Sequence, residues 1–170
     1  MHIRLRVPQR WCTLCTDMET GPADTWSLLN ISTSMAHCEN FSDYEDEVIN
    51  EITSIKTRNP QYQKVVLLGH SMGGLVAFRV ANRIQLSGLV LSAPLLESRM
   101  LWKYHNTRTV IFHSSDDMLT KIDGSRALSA ARPDMVTLHE VPNTCHGLLK
   151  DAWEVRSGTY ALFLEAIQSF

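Results

Sequence analysis

Val65-Val66-Leu67-Leu68-Gly69-His70-Ser71-Met72-Gly73-Gly74 is the stretch that decides the fold of this chain. Four apolar residues read as a buried strand, and the residues after Ser71 take up a helical pattern. Between them lies G-x-S-x-G, and strand, G-x-S-x-G, helix is the layout of a nucleophile elbow. The spacing has a chemical reason. A serine hydroxyl is a weak nucleophile and has to be presented on a sharp turn. Gly69 and Gly73, two residues to either side, let neighbouring backbone approach without a Cβ clash. The turn also sets Ser71 at a helix N-terminus, where the N–H of Met72 can stabilise an oxyanion.

Outward from the elbow, helical and strand patterns alternate. Before it, Ser42-Asp43-Tyr44-Glu45 fits a capping box. Val48, Ile49, Ile52 and Ile55 then form one helical stripe that Asn59-Pro60 stops, and the elbow strand spans Lys64 to Leu68. After it, a helix is expected over Met72–Ile84, a strand over Gly88–Leu91, a strand over Thr109–Phe112 and a helix over Asp123–Ala131. A strand over Met135–Val141 and an amphipathic helix over Trp153–Phe170 complete the series. Strands alternating with helices of this length predict a mostly parallel sheet with helices on both faces. Function then gathers in the loops at the C-terminal strand ends.

That rule locates partners for Ser71. A serine nucleophile needs a base to take its proton and an acid to orient the base, in chain order Ser, Asp or Glu, His. The strand Thr109–Phe112 runs into His113-Ser114-Ser115-Asp116-Asp117, and the strand Met135–Val141 into Pro142-Asn143-Thr144-Cys145-His146-Gly147. Asp116 is taken as the acid, ahead of Asp117 and, more distantly, Glu97. His146 is taken as the base. His70 lies inside the elbow with its side chain expected to point away from Ser71. His139 falls within a strand, and His105 and His113 do not fit the chain order.

Composition narrows the function classes. In 170 residues, 44% apolar and 20% charged content is ordinary for a soluble globular domain. A net charge of −2 gives no reason to expect nucleic acid. No stretch is long and apolar enough to span a bilayer, and the first residues lack the apolar core of a secretory signal. A cytoplasmic protein is the expectation. Cys12-x-x-Cys15 with His37 and Cys38 resembles a zinc site only loosely, since no second spaced pair exists. Free thiols and no metal or cofactor are expected.

The elbow segment Leu67 to Gly74 resembles that of the monoacylglycerol lipases and related lysophospholipases, in the serine aminopeptidase-like branch of the α/β-hydrolase superfamily. Asn40-Phe41-Ser42-Asp43-Tyr44 resembles the start of that family's preceding helix, and Gly88-Leu89-Val90-Leu91-Ser92-Ala93-Pro94 its following strand. Phe112-His113-Ser114-Ser115-Asp116 resembles its acid loop, with His113 where glycine is usual, and Cys145-His146-Gly147-Leu148 its histidine loop. The resemblance covers about Asn40 to Phe170. It implies Ser71 as nucleophile, Asp116 as acid, His146 as base, and hydrolysis of a carboxylic ester such as a monoacylglycerol or lysophospholipid. Such a substrate would bring peripheral contact with a membrane.

Two departures from the family qualify this. Residues 1–33 do not resemble its front half, and no His-Gly-x-x loop, which would donate the second oxyanion N–H, occurs before Phe41. Losing one such donor typically costs ~10²–10³ in turnover. The expectation is a curtailed α/β-hydrolase fold: an ill-defined N-terminal segment, residues 1–33, and a partial hydrolase domain, residues 34–170. The sheet edge beside Val65–Leu68 is expected either to be covered by Ile3–Val7 or, the favoured outcome, to face a poorly ordered segment. The helical cap is also missing, because only Leu95 to Arg108 join two strands that the family separates widely. This implies an open cleft. The alternative to an esterase is a weak or inactive remnant acting as a binding module.

Overall fold

The computed structural model describes residues 12–17, 26–31, 40–97, 106–142, 144–147 and 158–170, the backbone alone in 12–17, 26–31 and 158–160. Among the described residues ten elements follow one another. They are β1 (Cys12–Asp17), β2 (Trp26–Ile31), α1 (Phe41–Arg58), β3 (Val65–His70), α2 (Met72–Ala81), β4 (Gly88–Ser92), β5 (Thr109–Ser114), α3 (Asp123–Ala131), β6 (Val136–Val141) and α4 (Gly158–Gln168). The strands form one sheet in the order β2-β1-β3-β4-β5-β6. From β3 to β6 every pairing is parallel, with Leu67 beside Leu89, Leu91 beside Ile111, and Ile111 beside Leu138.

Three parallel strands, β3, β4 and β5, are buried with both faces covered, whereas β6 at the sheet edge is only partly buried. Val65 and Leu67 join Leu89, Leu91 and Ile111 in a core shared with α1, α2 and α3. Val66 and Leu68 face the other way, with Val90, Val110 and Phe112, against Phe163, Ala166 and Ile167 of α4. In α1 the buried stripe is Tyr44, Val48, Ile52 and Ile55.

The start of α1 differs from the expected capping box. The helix begins two residues earlier, with Asn40 as N-cap, and the Asn40 N–H donates to the Asp43 carboxylate at 3.2 Å. Glu45 is not available for capping. It is buried and accepts from Arg79 of α2 and from Arg83 in the turn after it, while Arg83 also reaches Asp46. Several strands and one helix also shift at their ends. β3 runs on to His70, β4 to Ser92 and β5 to Ser114, whereas α2 stops at Ala81.

A larger correction concerns the edge of β3. It is covered neither by a poorly ordered segment nor by Ile3–Val7, which lie outside the described residues. Cys12–Asp17 pairs antiparallel with it, placing Leu14 beside Leu67, and Trp26–Ile31 extends the sheet antiparallel beyond β1. The backbone hydrogen bonds of β3 are thus taken up on both sides.

Candidate active site

The C-terminal ends of β3, β4, β5 and β6 converge on Ser71. This residue has φ 55° and ψ −122°, a left-handed conformation rare for a side chain other than glycine. Holding it costs about 1–3 kcal/mol, which the surroundings must over-determine. They do so from both sides. The Ser71 N–H donates to Ser92 O at 2.9 Å, and Ser71 O accepts from Leu95 N at 3.1 Å and Gly74 N at 3.0 Å. Gly69 is required where α2 folds back. A Cβ on it would lie 2.5 Å from Gly73 O and 2.7 Å from Gly74 Cα. Met72, with its N–H, opens α2 directly after the serine.

His146 faces the nucleophile. Its Nε2 lies 2.8 Å from Ser71 Oγ, and its Nδ1 lies 2.8 Å from Asp117 Oδ2. A carboxylate only accepts, so Nδ1 carries the hydrogen and Nε2 accepts from the serine hydroxyl. This is the hydrogen-bond order that a serine nucleophile requires.

The acid beside His146 is therefore Asp117, not the expected Asp116. The reason is the length of β5. The strand continues past Phe112 to Ser114, and a turn over Ser115 and Asp116 follows. Asp116 is exposed on that turn, with its N–H donating to Ser114 Oγ at 3.1 Å. Asp117 is the first carboxylate to turn inward, and it is 6% exposed. Its Oδ1 accepts from the N–H groups of Leu119 at 2.8 Å and Thr120 at 2.9 Å. Burial alone would raise its pKa, but the bonds from His146, Thr120 and Leu119 outweigh it and bring the carboxyl to about 2. Glu97 lies at the surface after β4.

Two histidines also border the site: His70, expected to point away from Ser71, and His113, set aside on chain order. Strand alternation puts His70 on the face of Val66 and Leu68, at the end of β3. Its ring centroid is 5.0 Å from that of His146, and its Nδ1 donates to Ser92 O at 3.1 Å, so it does not point away from the site. His113 is fully buried on the other face. Its Nε2–H donates to Thr120 O at 2.8 Å, and its Nδ1 accepts from Ser125 of α3 at 2.8 Å. Burial lowers the pKa of both histidines. Ser114 Oγ ties the acid loop to the histidine loop by donating to Thr144 O. His113 and Ser114 lie in the stretch that resembles the family's acid loop, but nothing in the sequence marks these contacts, and Thr120 lies outside that stretch.

Among the described residues no group of histidine, cysteine and acidic side chains is arranged to hold a metal ion. The cysteine and histidine pattern at residues 12–38 falls on positions whose side chains are not described. No helix among the described residues is long and apolar enough to cross a membrane. Residues 32–39, before α1, and residues 98–105 of the connection between β4 and β5 also lie outside the described residues.

Residues 31–107, less than half of the chain, match a family model described as serine aminopeptidase, S33. Solved structures share the fold over more of its length. A lidless α/β serine hydrolase from Xanthomonas campestris superposes with a TM-score of 0.64 at 15% identity, over 78% of this chain and 62% of its own. A CIB-like hydrolase from Thermoplasma acidophilum gives 0.64 at 12% identity, over 84% and 67%. An α/β serine hydrolase homologue from Coxiella burnetii gives 0.61 at 14% identity, over 77% and 64%. This is an α/β-hydrolase fold. The chain spans about two thirds or less of each of these neighbours. No curated protein sequence matches it.

Proposed function

We propose that this chain is a serine hydrolase of carboxylic esters. Ser71 is the nucleophile, His146 the base and Asp117 the acid, with a monoacylglycerol or lysophospholipid as substrate. The observation that carries this reading is the hydrogen-bond line Ser71 Oγ, His146 Nε2, His146 Nδ1, Asp117 Oδ2, with 2.8 Å at each end. His146 takes the serine proton as Oγ attacks the ester carbonyl, and the Met72 N–H meets the oxyanion. The imidazolium then protonates the leaving alcohol, water repeats the sequence on the acyl-serine, and Asp117 stays ionised throughout. The family match over residues 31–107 and the serine hydrolases among the structural neighbours support the same chemistry.

An apolar acyl group is favoured by the loop that carries the acid. Met118 and Leu119 follow the acid directly and are 89% and 74% exposed. An exposed apolar pair next to the acid in sequence suits a lipid ester, and contact with a membrane surface belongs to the same reading.

A fluorophosphonate probe tests the proposal. It should label wild-type protein at Ser71, Ser71→Ala should abolish labelling, and turnover should be higher on a monoacylglycerol than on a small polar ester. Labelling that survives Ser71→Ala would overturn the assignment. The second reading, an inactive remnant that binds without turning over, draws on the short family match and on the partial length shared with the neighbours. A folded sample with neither labelling nor turnover would decide for it.

A further inference from the structure

We propose that Thr120 is a positioning residue for His146, holding the imidazole jointly with Asp117. This inference rests on the reading of Ser71, His146 and Asp117 as the reacting set. Thr120 is buried, three residues beyond the acid, and its hydroxyl stands beside the acid–histidine bond. Oγ1 is 2.8 Å from Asp117 Oδ2, 3.2 Å from His146 Nδ1 and 3.0 Å from Ala93 O. A hydroxyl has one hydrogen and two lone pairs. Nδ1–H is a donor, so Oγ1 accepts a share of it. Asp117 Oδ2 and Ala93 O only accept, so they compete for the single hydroxyl hydrogen.

This arrangement has a use in the reaction. Before proton transfer, a hydroxyl turned to Asp117 helps keep the carboxylate ionised. When His146 becomes a cation, a hydroxyl turned to Ala93 O leaves its lone pairs to Nδ1–H and leaves Asp117 Oδ2 wholly to the imidazolium. Nothing is transferred beyond the protons already moving between serine, histidine and leaving group.

The residue is also held in place from several directions. Its N–H donates to Asp117 Oδ1 at 2.9 Å, and its carbonyl accepts from His113 Nε2–H at 2.8 Å. His113 is in turn fixed by Ser125 Oγ. The carbonyl of Ala93 is presented by a residue with φ 44°, a strained conformation at the end of β4. A hydroxyl fixed from this many sides restricts the ring it touches, and chemistry is sensitive to misplacement of that ring.

The test compares Thr120→Val, which removes the hydroxyl at nearly constant volume, with Thr120→Ser, which restores it. Active sites are first counted by fluorophosphonate, so that unfolded protein does not enter the rate. We expect Thr120→Val to lower kcat about 10- to 100-fold, the scale of a hydrogen bond to a charged group, with KM unchanged. Thr120→Ser should recover most of the loss. The downfield proton resonance of His146 Nδ1–H, identified by its loss in His146→Ala, should move in Thr120→Val and return in Thr120→Ser. Wild-type kcat in Thr120→Val, or a serine variant as impaired as the valine one, would overturn the proposal. So would an unmoved resonance. Should Thr120→Val not fold, Thr120→Ala removes the same hydroxyl. A wild type that shows no turnover would refute the ester-hydrolase reading, while the resonance would still decide the role of Thr120.

Discussion

Asp117 Oδ2 lies 2.8 Å from His146 Nδ1, while Oδ1 of the same carboxylate takes the N–H groups of Leu119 and Thr120. One oxygen is thus taken by the histidine and the Thr120 hydroxyl, and the other by the backbone of its own loop. The carboxylate cannot rotate without breaking both sets of bonds. This separates it from its exposed neighbour, Asp116. Asp117→Asn should lower kcat/KM by roughly 10³–10⁴-fold, because an amide at this position favours the wrong histidine tautomer. Asp116→Asn should stay within about twofold of wild type, as expected for a surface change. Steady-state kinetics on a soluble ester compares them, and equal losses would return the acid to dispute.

The same carboxylate should shape acid stability. Its pKa falls from an ordinary 3.8 to about 2 in the folded chain. The unfolded chain then binds the extra proton first as pH falls, so the stabilisation is complete above about 4 and is lost on the way down to about 2. The amount is at most about 2 kcal/mol. Urea unfolding across this range should show the gap between wild type and Asp117→Asn closing over that window. A gap independent of pH would mean that the carboxylate is not held this way.

Three of the four parallel strands were legible because they contain continuous apolar runs. Val65 to Leu68, Gly88 to Leu91 and Val110 to Phe112 have no polar residue inside to blur them. The antiparallel half was not. Cys12-Thr13-Leu14-Cys15-Thr16-Asp17 and Trp26-Ser27-Leu28-Leu29-Asn30-Ile31 show no clean period of two, so the Gly21-Pro22 turn signal between them joins no recognisable strands. Their place comes from the free edge of β3, a long-range demand that local pattern does not carry. Ser71 and His146 were readable from motif and chain order. Asp116 and Asp117 are adjacent and chemically identical, so the choice between them depended on where β5 ends, and strand ends are the weakest part of any sequence reading. Thr120 carried no signal, because its contribution is a matter of distance alone.

His113 gives stability a second pH window, near neutrality. Burial lowers its pKa from 6.5, and the same holds for His70. The unfolded chain takes up these protons as pH drops through about 6.5, while the folded chain resists them, so stability rises with pH in this range. His113→Gln removes one contributor. It should be less stable than wild type at about pH 7, since His113 bridges Ser125 and Thr120. The difference should shrink toward about pH 5, as wild type alone bears the cost of the buried imidazole. Thermal midpoints at the two pH values suffice. A difference that grows on acidification would show that His113 gains a proton readily in the folded chain.

Two glycines should resist even alanine, for reasons of space rather than backbone angle. A Cβ on Gly69 would sit 2.5 Å from Gly73 O, and one on Gly124 would sit 2.0 Å from Leu96 O. Both obstacles are backbone atoms, which cannot swing aside as a side chain can. Overpacking of this kind costs about 1–3 kcal/mol or more. The two changes should nevertheless differ in kind. Gly69→Ala pushes the first turn of α2 away from β3 and so moves Ser71, which should slow fluorophosphonate labelling as well as lower the thermal midpoint. Gly124→Ala pushes α3 away from Leu96, a residue of the core under the sheet. Its gain in helix propensity, about 1 kcal/mol at best, does not offset the clash. Its labelling rate, corrected for the folded fraction, should fall less than that of Gly69→Ala for the same loss of stability. Equal labelling losses at equal stability would mean that the elbow has no special dependence on the close approach of Gly69 to Gly73.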